Sequence, residues 1–199
     1  MDSTGRIVSS MQQAAKDLGL ATPSEQAVKN IIGLGLTECL NILFPGLECH
    51  KTISEAYRYQ YVEADLTPTP LFEGVEEVLT ELKGKGYQLA VATGKARHGL
   101  DRVLDESGLR SYFAHTIAAD EVANAKPAPD MLELLMDKTL TQASQMVMIG
   151  DTGFDLEMAK SAGAHAIGVT FGAQSEEQLI QYERQLIVDN FKDILSLFE

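Results

Sequence analysis

From Val75 to Val188 the chain repeats one rhythm: apolar residues at helical spacing, then a break, then a run of apolar residues only long enough for a strand. Val75, Val78, Leu79 and Leu82 mark a helix face that Gly84-Lys85-Gly86 ends, and Tyr87 to Ala92 follows as a strand. Leu100, Val103 and Leu104 mark the next helix, closed by Gly108, with Thr116 to Ala118 as a short strand. Met131 to Leu140 is predicted helical, Met146 to Ile149 a buried strand, and Asp155 to Ala162 a helix stopped by Gly163. Ala166 to Val169 is the next strand, Glu176 to Arg184 a helix, Leu186 to Val188 the last strand, and a short helix starts at Phe191. Strands that alternate with helices are joined by crossovers, so they lie parallel in a sheet covered by helices on both faces. Open sheets of this kind bind ligands at the carboxyl ends of their strands. That rule selects Thr93, the loop around Lys126, and Asp151.

Residues 3–66 read differently, as helices alone. Ile7, Val8, Met11, Ala15 and Leu18 form one apolar stripe, closed by Gly19. Thr22-Pro23-Ser24-Glu25 reads as a capping box with proline in the first helical position. It opens a helix carrying Ala27, Val28, Ile31 and Ile32, broken at Gly33-Leu34-Gly35. Leu36 to Phe44 is a short apolar helix, and a longer one is expected over Thr52 to Asp65. Thr67-Pro68-Thr69-Pro70 is the boundary, because prolines two apart hold the backbone extended and prevent a helix from continuing. The predicted organisation is therefore a helical unit over 3–66 and an α/β unit over 67–199 together with residues 1–2.

The net charge of −13 argues against nucleic acid or an anionic membrane as a partner. It leaves a small anionic substrate open, since a metal ion or lysine can reverse the field within one cleft. No apolar run approaches the roughly 20 residues that span a bilayer, and residues 1–10 lack a signal-peptide core. Cys39 and Cys49 read as two reduced thiols, so the expected location is cytoplasmic.

Three short strings carry candidate chemistry. In MVMIGDTGFD, residues 146–155, a buried strand runs into Asp151, and Asp155 follows where a helix begins. Two carboxylates there are costly unless a cation joins them, and a hard cation such as Mg²⁺ is the natural partner. Asp151 as a turn residue and Asp155 as an N-cap is the plainer alternative. In VATGKAR, residues 91–97, the Thr93 hydroxyl and the backbone N–H groups near Gly94 and Lys95 can hold a phosphoryl oxygen, although Thr-Gly turns are common. In NAKPAPDML, residues 124–132, Lys126 stands before a proline in a loop stiffened by a second one. A lysine so placed can neutralise a phosphoryl group, or simply face solvent. Arg97 and His98 lie one turn beyond Thr93; Arg97 reads equally as shaping the phosphate side of the cleft or as a solvated helix start, and Lys95 shares that ambiguity.

In this order, each at a strand end, the three strings resemble the haloacid dehalogenase superfamily, on the phosphoglycolate-phosphatase-like branch. Thr93 matches its second motif, Lys126 its third, and Asp151 and Asp155 its acidic fourth, with Ala159, Ala162 and Gly163 completing the GDTxxDxxxAxxAG form. The resemblance implies a Rossmann-like core with an α-helical cap over residues 3–66. It implies a Mg²⁺-dependent phosphatase of a small phosphorylated metabolite, acting through an aspartyl-phosphate. Thr93, Gly94 and Lys95 would bind substrate, Thr93 and Lys126 would serve catalysis, and Asp151 and Asp155 would hold Mg²⁺. A phosphomutase, or a non-catalytic protein that binds phosphate or metal, are the alternatives.

The family's first motif is an apolar strand followed by DxDGT, and Met1-Asp2-Ser3-Thr4 resembles only its very end. Asp2 is expected at a helix start and not as the nucleophile. Covalent catalysis needs its nucleophile, so the 199-residue polypeptide is expected to have negligible phosphatase activity. A start assigned too far downstream, or a true loss, would each produce this pattern. The family's first strand lies between those equivalent to Tyr87–Ala92 and Met146–Ile149. Those two strands would pair directly, or another strand would fill the gap, for example in a strand-swapped homodimer, or the fold would be marginal.

Overall fold

A computed structural model describes residues 1–47 and 49–198. The first part is helical: α1 (Thr4–Asp17), α2 (Glu25–Lys29), α3 (Leu36–Leu43) and α4 (Lys51–Tyr59), which continues as a π-helical turn, Gln60–Ala64. The predicted stripe on α1 is buried at Val8, Met11 and Ala15, joined by Ala14, and packs with Val28, Leu40 and Ile53 in one apolar core. Each of the larger side chains among these, valine, methionine, leucine or isoleucine, contributes roughly 1.5–3 kcal/mol on leaving water. Leu18 falls off the stripe and is exposed, because it is already the C-cap of α1.

Helix α2 starts later than the capping-box reading requires. Ser24, not Thr22, is the N-cap, and its hydroxyl accepts from the Ala27 N–H at 3.1 Å. Pro23 therefore precedes the helix. The expected long helix over Thr52 to Asp65 exists, but its last turn widens to a π-helix. Asp65 stops it and accepts hydrogen bonds from Ser10 (3.1 Å), from Ser9, and from the Thr67 N–H (2.9 Å). Helix α1 is thereby tied to the proline linker.

The second part alternates as predicted: α5 (Val75–Gly84), β1 (Ala90–Thr93), α6 (Arg97–Glu106), β2 (His115–Ala118), α7 (Asp130–Thr139), β3 (Val147–Gly150), α8 (Gly153–Ala162), β4 (His165–Val169), α9 (Glu176–Leu179) and β5 (Leu186–Val188). All ladders are parallel, with β1 on β2, β3 on β4, and β4 on β5. The architecture is a Rossmann-like α/β core with appended helices. Strand β1 begins at Ala90 rather than Tyr87, because the Tyr87 N–H is spent on the Leu82 carbonyl at the end of α5. Helix α9 ends at Leu179 rather than Arg184. There the chain turns, and the Gln185 N–H reaches the Ala166 carbonyl to start β5.

The five strands form two sheets, not one. Strands β1 and β3 share no ladder, so direct pairing across the gap does not occur. Between them lies a cavity of about 690 Å³, lined by Val91, Ala92, Met148 and Ile149 from the two facing edges.

Candidate active site at the strand ends

The carboxyl ends of β1 and β3 open into a second cavity, of about 400 Å³, roofed by the helical part. Thr93, Gly94, Lys95, Lys126, Asp151 and Asp155 all line it. The structure thus brings together every predicted site residue, although they span more than fifty positions of sequence.

Lys126 is buried, not solvent-facing. Its Nζ donates to Asp155 Oδ1 at 2.5 Å, and both side chains are almost wholly removed from water. Asp155 Oδ2 accepts from the Thr152 N–H (3.1 Å) and hydroxyl (2.8 Å) at the start of α8. The helix-start reading of Asp155 therefore holds, and the residue carries an ion pair as well. A buried pair of this kind gains from Coulomb attraction only when further hydrogen bonds satisfy it, and here both Asp155 oxygens have partners.

Asp151 is less well compensated. Its Oδ2 accepts from the Ala173 N–H at 2.8 Å. Burial pushes its carboxyl above the ordinary value and nearby Asp155 adds to this, while the Ala173 N–H and Lys126 oppose it. The loop carrying Ala173 closes tightly: a Cβ on Gly172 would stand 2.1 Å from Asp151 Oδ2, so only glycine fits there. Sequence reading missed this clamp, whose single signal was the Phe171-Gly172 pair after β4.

Thr93 Oγ accepts the Lys95 N–H at 3.2 Å, which folds the strand end into a turn. The helical part presses on this turn. A Cβ on Gly94 would lie 2.5 Å from the Leu34 carbonyl oxygen and 2.6 Å from that of Gly33. The Gly33-Leu34-Gly35 break is therefore a wall of the site as well as a helix break. Met1 lines the cavity too; burial lowers the pKa of its ammonium, with Asp151 acting against this. Asp2 is exposed and precedes Ser3, the N-cap of α1; its Oδ1 accepts from the Thr4 N–H at 3.4 Å.

Other candidates separate cleanly. Arg97 turns away to Glu121, Asp101 and the Thr116 carbonyl (2.8 Å), so it is structural. His98 lines the cavity. His50 contacts the Phe44 carbonyl and His165 contacts Gln185, as structural residues do. Cys39 is a buried thiol whose burial pushes its pKa up to about 12, and both cysteines are unpaired. Among the described residues, no helix is long and apolar enough to cross a membrane.

The haloacid dehalogenase-like hydrolase family matches residues 1–169. The chain belongs to that family. It is 40% identical to "Probable phosphatase IndB" of Dickeya dadantii over 98% of this chain and 87% of that protein. It is 27% identical to phosphoglycolate phosphatase of Vibrio parahaemolyticus, over 99% of this chain and 90% of that one. Its fold superposes with a TM-score of 0.90 on the crystal structure of a predicted phosphoglycolate phosphatase from Haemophilus somnus. That structure is 26% identical, with 99% of this chain and 92% of the other covered.

Proposed function

We propose that this site is that of a Mg²⁺-dependent phosphatase of a small phosphate monoester. The observation carrying the reading is the convergence of a hydroxyl, a buried lysine and two carboxylates on one cavity at two parallel strand ends. Thr93 and the backbone around Gly94 hold the phosphoryl oxygens. Lys126, fixed by Asp155, offsets their charge. The likeness to phosphatase relatives supports the same chemistry.

The donor set fits Mg²⁺ in part. Asp151 is a carboxylate lifted by burial with no basic side chain bonded to it, which a cation would relieve. Among the described residues no third acidic, histidine or cysteine side chain completes a cluster. Mg²⁺ characteristically keeps water and phosphate oxygens in its shell, so one or two carboxylates suffice. Asp151 would be the direct ligand, with Asp155 beside it. The ion's contribution would be to neutralise charge on the phosphoryl group.

A covalent aspartyl-phosphate route needs a carboxylate free to attack phosphorus. Asp155 is committed to Lys126 and Thr152, and Asp151 to Ala173 and the metal. The 199-residue polypeptide on its own therefore supplies the binding half of the site and not the nucleophile.

Isothermal calorimetry with Mg²⁺ and inorganic phosphate tests the reading. Phosphate should bind in the presence of Mg²⁺, and Asp151→Asn should weaken it by about ten-fold or more, as loss of a charged contact does. Phosphate binding that ignores both Mg²⁺ and Asp151 would overturn the assignment.

A further inference from the structure

We propose that Gln174, in the loop after β4, is a positioning residue for Asp151: it grips the turn 151–153 at both ends and so sets how tightly the strand-end site takes Mg²⁺. The inference rests on the reading of Asp151 as the direct Mg²⁺ ligand. It adds a residue that lies outside all three of the strings carrying candidate chemistry.

Gln174 is a buried polar side chain. Burying an amide is costly unless it is hydrogen-bonded, and here the bond is specific. Its Oε1 accepts from the Gly153 N–H at 2.7 Å. That N–H belongs to the first residue of α8 and is one of the donors that a helix cannot satisfy from within. The Gln174 N–H donates in turn to the Asp151 carbonyl at 3.2 Å. One residue therefore holds the chain on either side of the buried Thr152. The adjacent Ala173 N–H holds Asp151 Oδ2 at 2.8 Å, so neighbouring residues of one loop fix both the backbone and the carboxylate of Asp151.

The turn and the loop meet without slack. A Cβ on Gly153 would stand 2.1 Å from the Tyr182 ring, as one on Gly172 would from Asp151 Oδ2. Capping α8 would need only the bond to Gly153. The bond to the Asp151 carbonyl and the Ala173 contact act instead on the residue before the helix, and that residue lines the cavity. Asp151 Oδ1 has no bond to any other described residue, which leaves that oxygen for the ion. Mg²⁺ tolerates little distortion of its coordination geometry, so a ligand already held in place binds it more tightly than one that must be ordered on binding. Groups that orient a metal ligand typically control affinity by about 10–100-fold.

Calorimetric titration of the 199-residue chain with Mg²⁺ alone tests the idea. Gln174→Met keeps the length of the side chain and removes the acceptor, and it should weaken Mg²⁺ binding by about ten-fold or more. Leu156→Val is the control: it trims a buried core contact of the same helix and leaves residues 151–153 alone. It should lower stability in urea yet keep Mg²⁺ affinity within about two-fold of the parent, as independent sites do. Circular dichroism verifies folding. Should Gln174→Met not fold, Gln174→Asn, whose amide is one methylene shorter, carries the same expectation. A Gln174 variant that binds Mg²⁺ within about two-fold of the parent would overturn the inference. So would an equal weakening in Leu156→Val, because the loss would then follow stability. If the parent takes up no Mg²⁺, or Asp151→Asn leaves its uptake unchanged, the reading of Asp151 as the ligand fails and takes this inference with it.

Discussion

Lys126 and Asp155 form the site's most tightly constrained pair, because each is the other's compensation for leaving water. Replacing one partner strands a buried charge, which typically costs about 3–5 kcal/mol. Lys126→Met should therefore lower unfolding stability in urea by that order. A loss below about 1 kcal/mol would show that the pair is solvated in solution. Asp65 offers a pH-dependent counterpart. Burial pushes its carboxyl up, but hydrogen bonds from Ser9, Thr67 and Ser10 outweigh this and hold it at about 2. A carboxyl whose folded pKa is depressed stabilises the fold above its unfolded value, and that stability is lost as pH falls through the folded pKa. Asp65→Ala should cost about 1–3 kcal/mol at neutral pH. The difference from the parent should shrink as pH drops below about 4. A difference that stays constant across that range in urea titrations would exclude the linkage.

At the scale of elements, the decisive feature is the slot between β1 and β3. Strand β4 is paired on both sides, whereas β1 and β3 each present one unpaired edge to an apolar cavity. Hydrogen exchange should show this directly. The slot-facing amides of β1 and β3 should exchange much faster than those of β4, since exchange follows local opening. Equal protection across all three strands would mean that the edges are paired in solution, by a second copy or another strand. The helices show how local rules yield to their surroundings. Proline at position 23 suited a helix start, yet Ser24 won the capping role because its hydroxyl reaches the Ala27 N–H. Strand β1 started three residues later than its apolar run because the end of α5 had already claimed the Tyr87 N–H.

For the whole molecule, binding and turnover separate. Purified 199-residue polypeptide should show negligible Mg²⁺-dependent hydrolysis of phosphate monoesters in a released-phosphate assay, even where it binds phosphate. Clear turnover that Asp151→Asn abolishes would overturn that expectation. The parallel alternation, the family and the strand-end residues were legible in the chain, because strand period, glycine breaks and short polar strings are local signals. Thr93, Lys126, Asp151 and Asp155 could be picked out without coordinates, since each follows an apolar run or a stiffened loop. Their relations could not. That Lys126 is buried against Asp155, that Gly172 lets a loop close on Asp151, and that Gln174 reaches the Gly153 N–H all depend on contacts between residues distant in sequence. Periodicity fixes which face of an element is apolar. Only packing fixes which elements meet, and so which charges must share a cavity and which strand edges stay open.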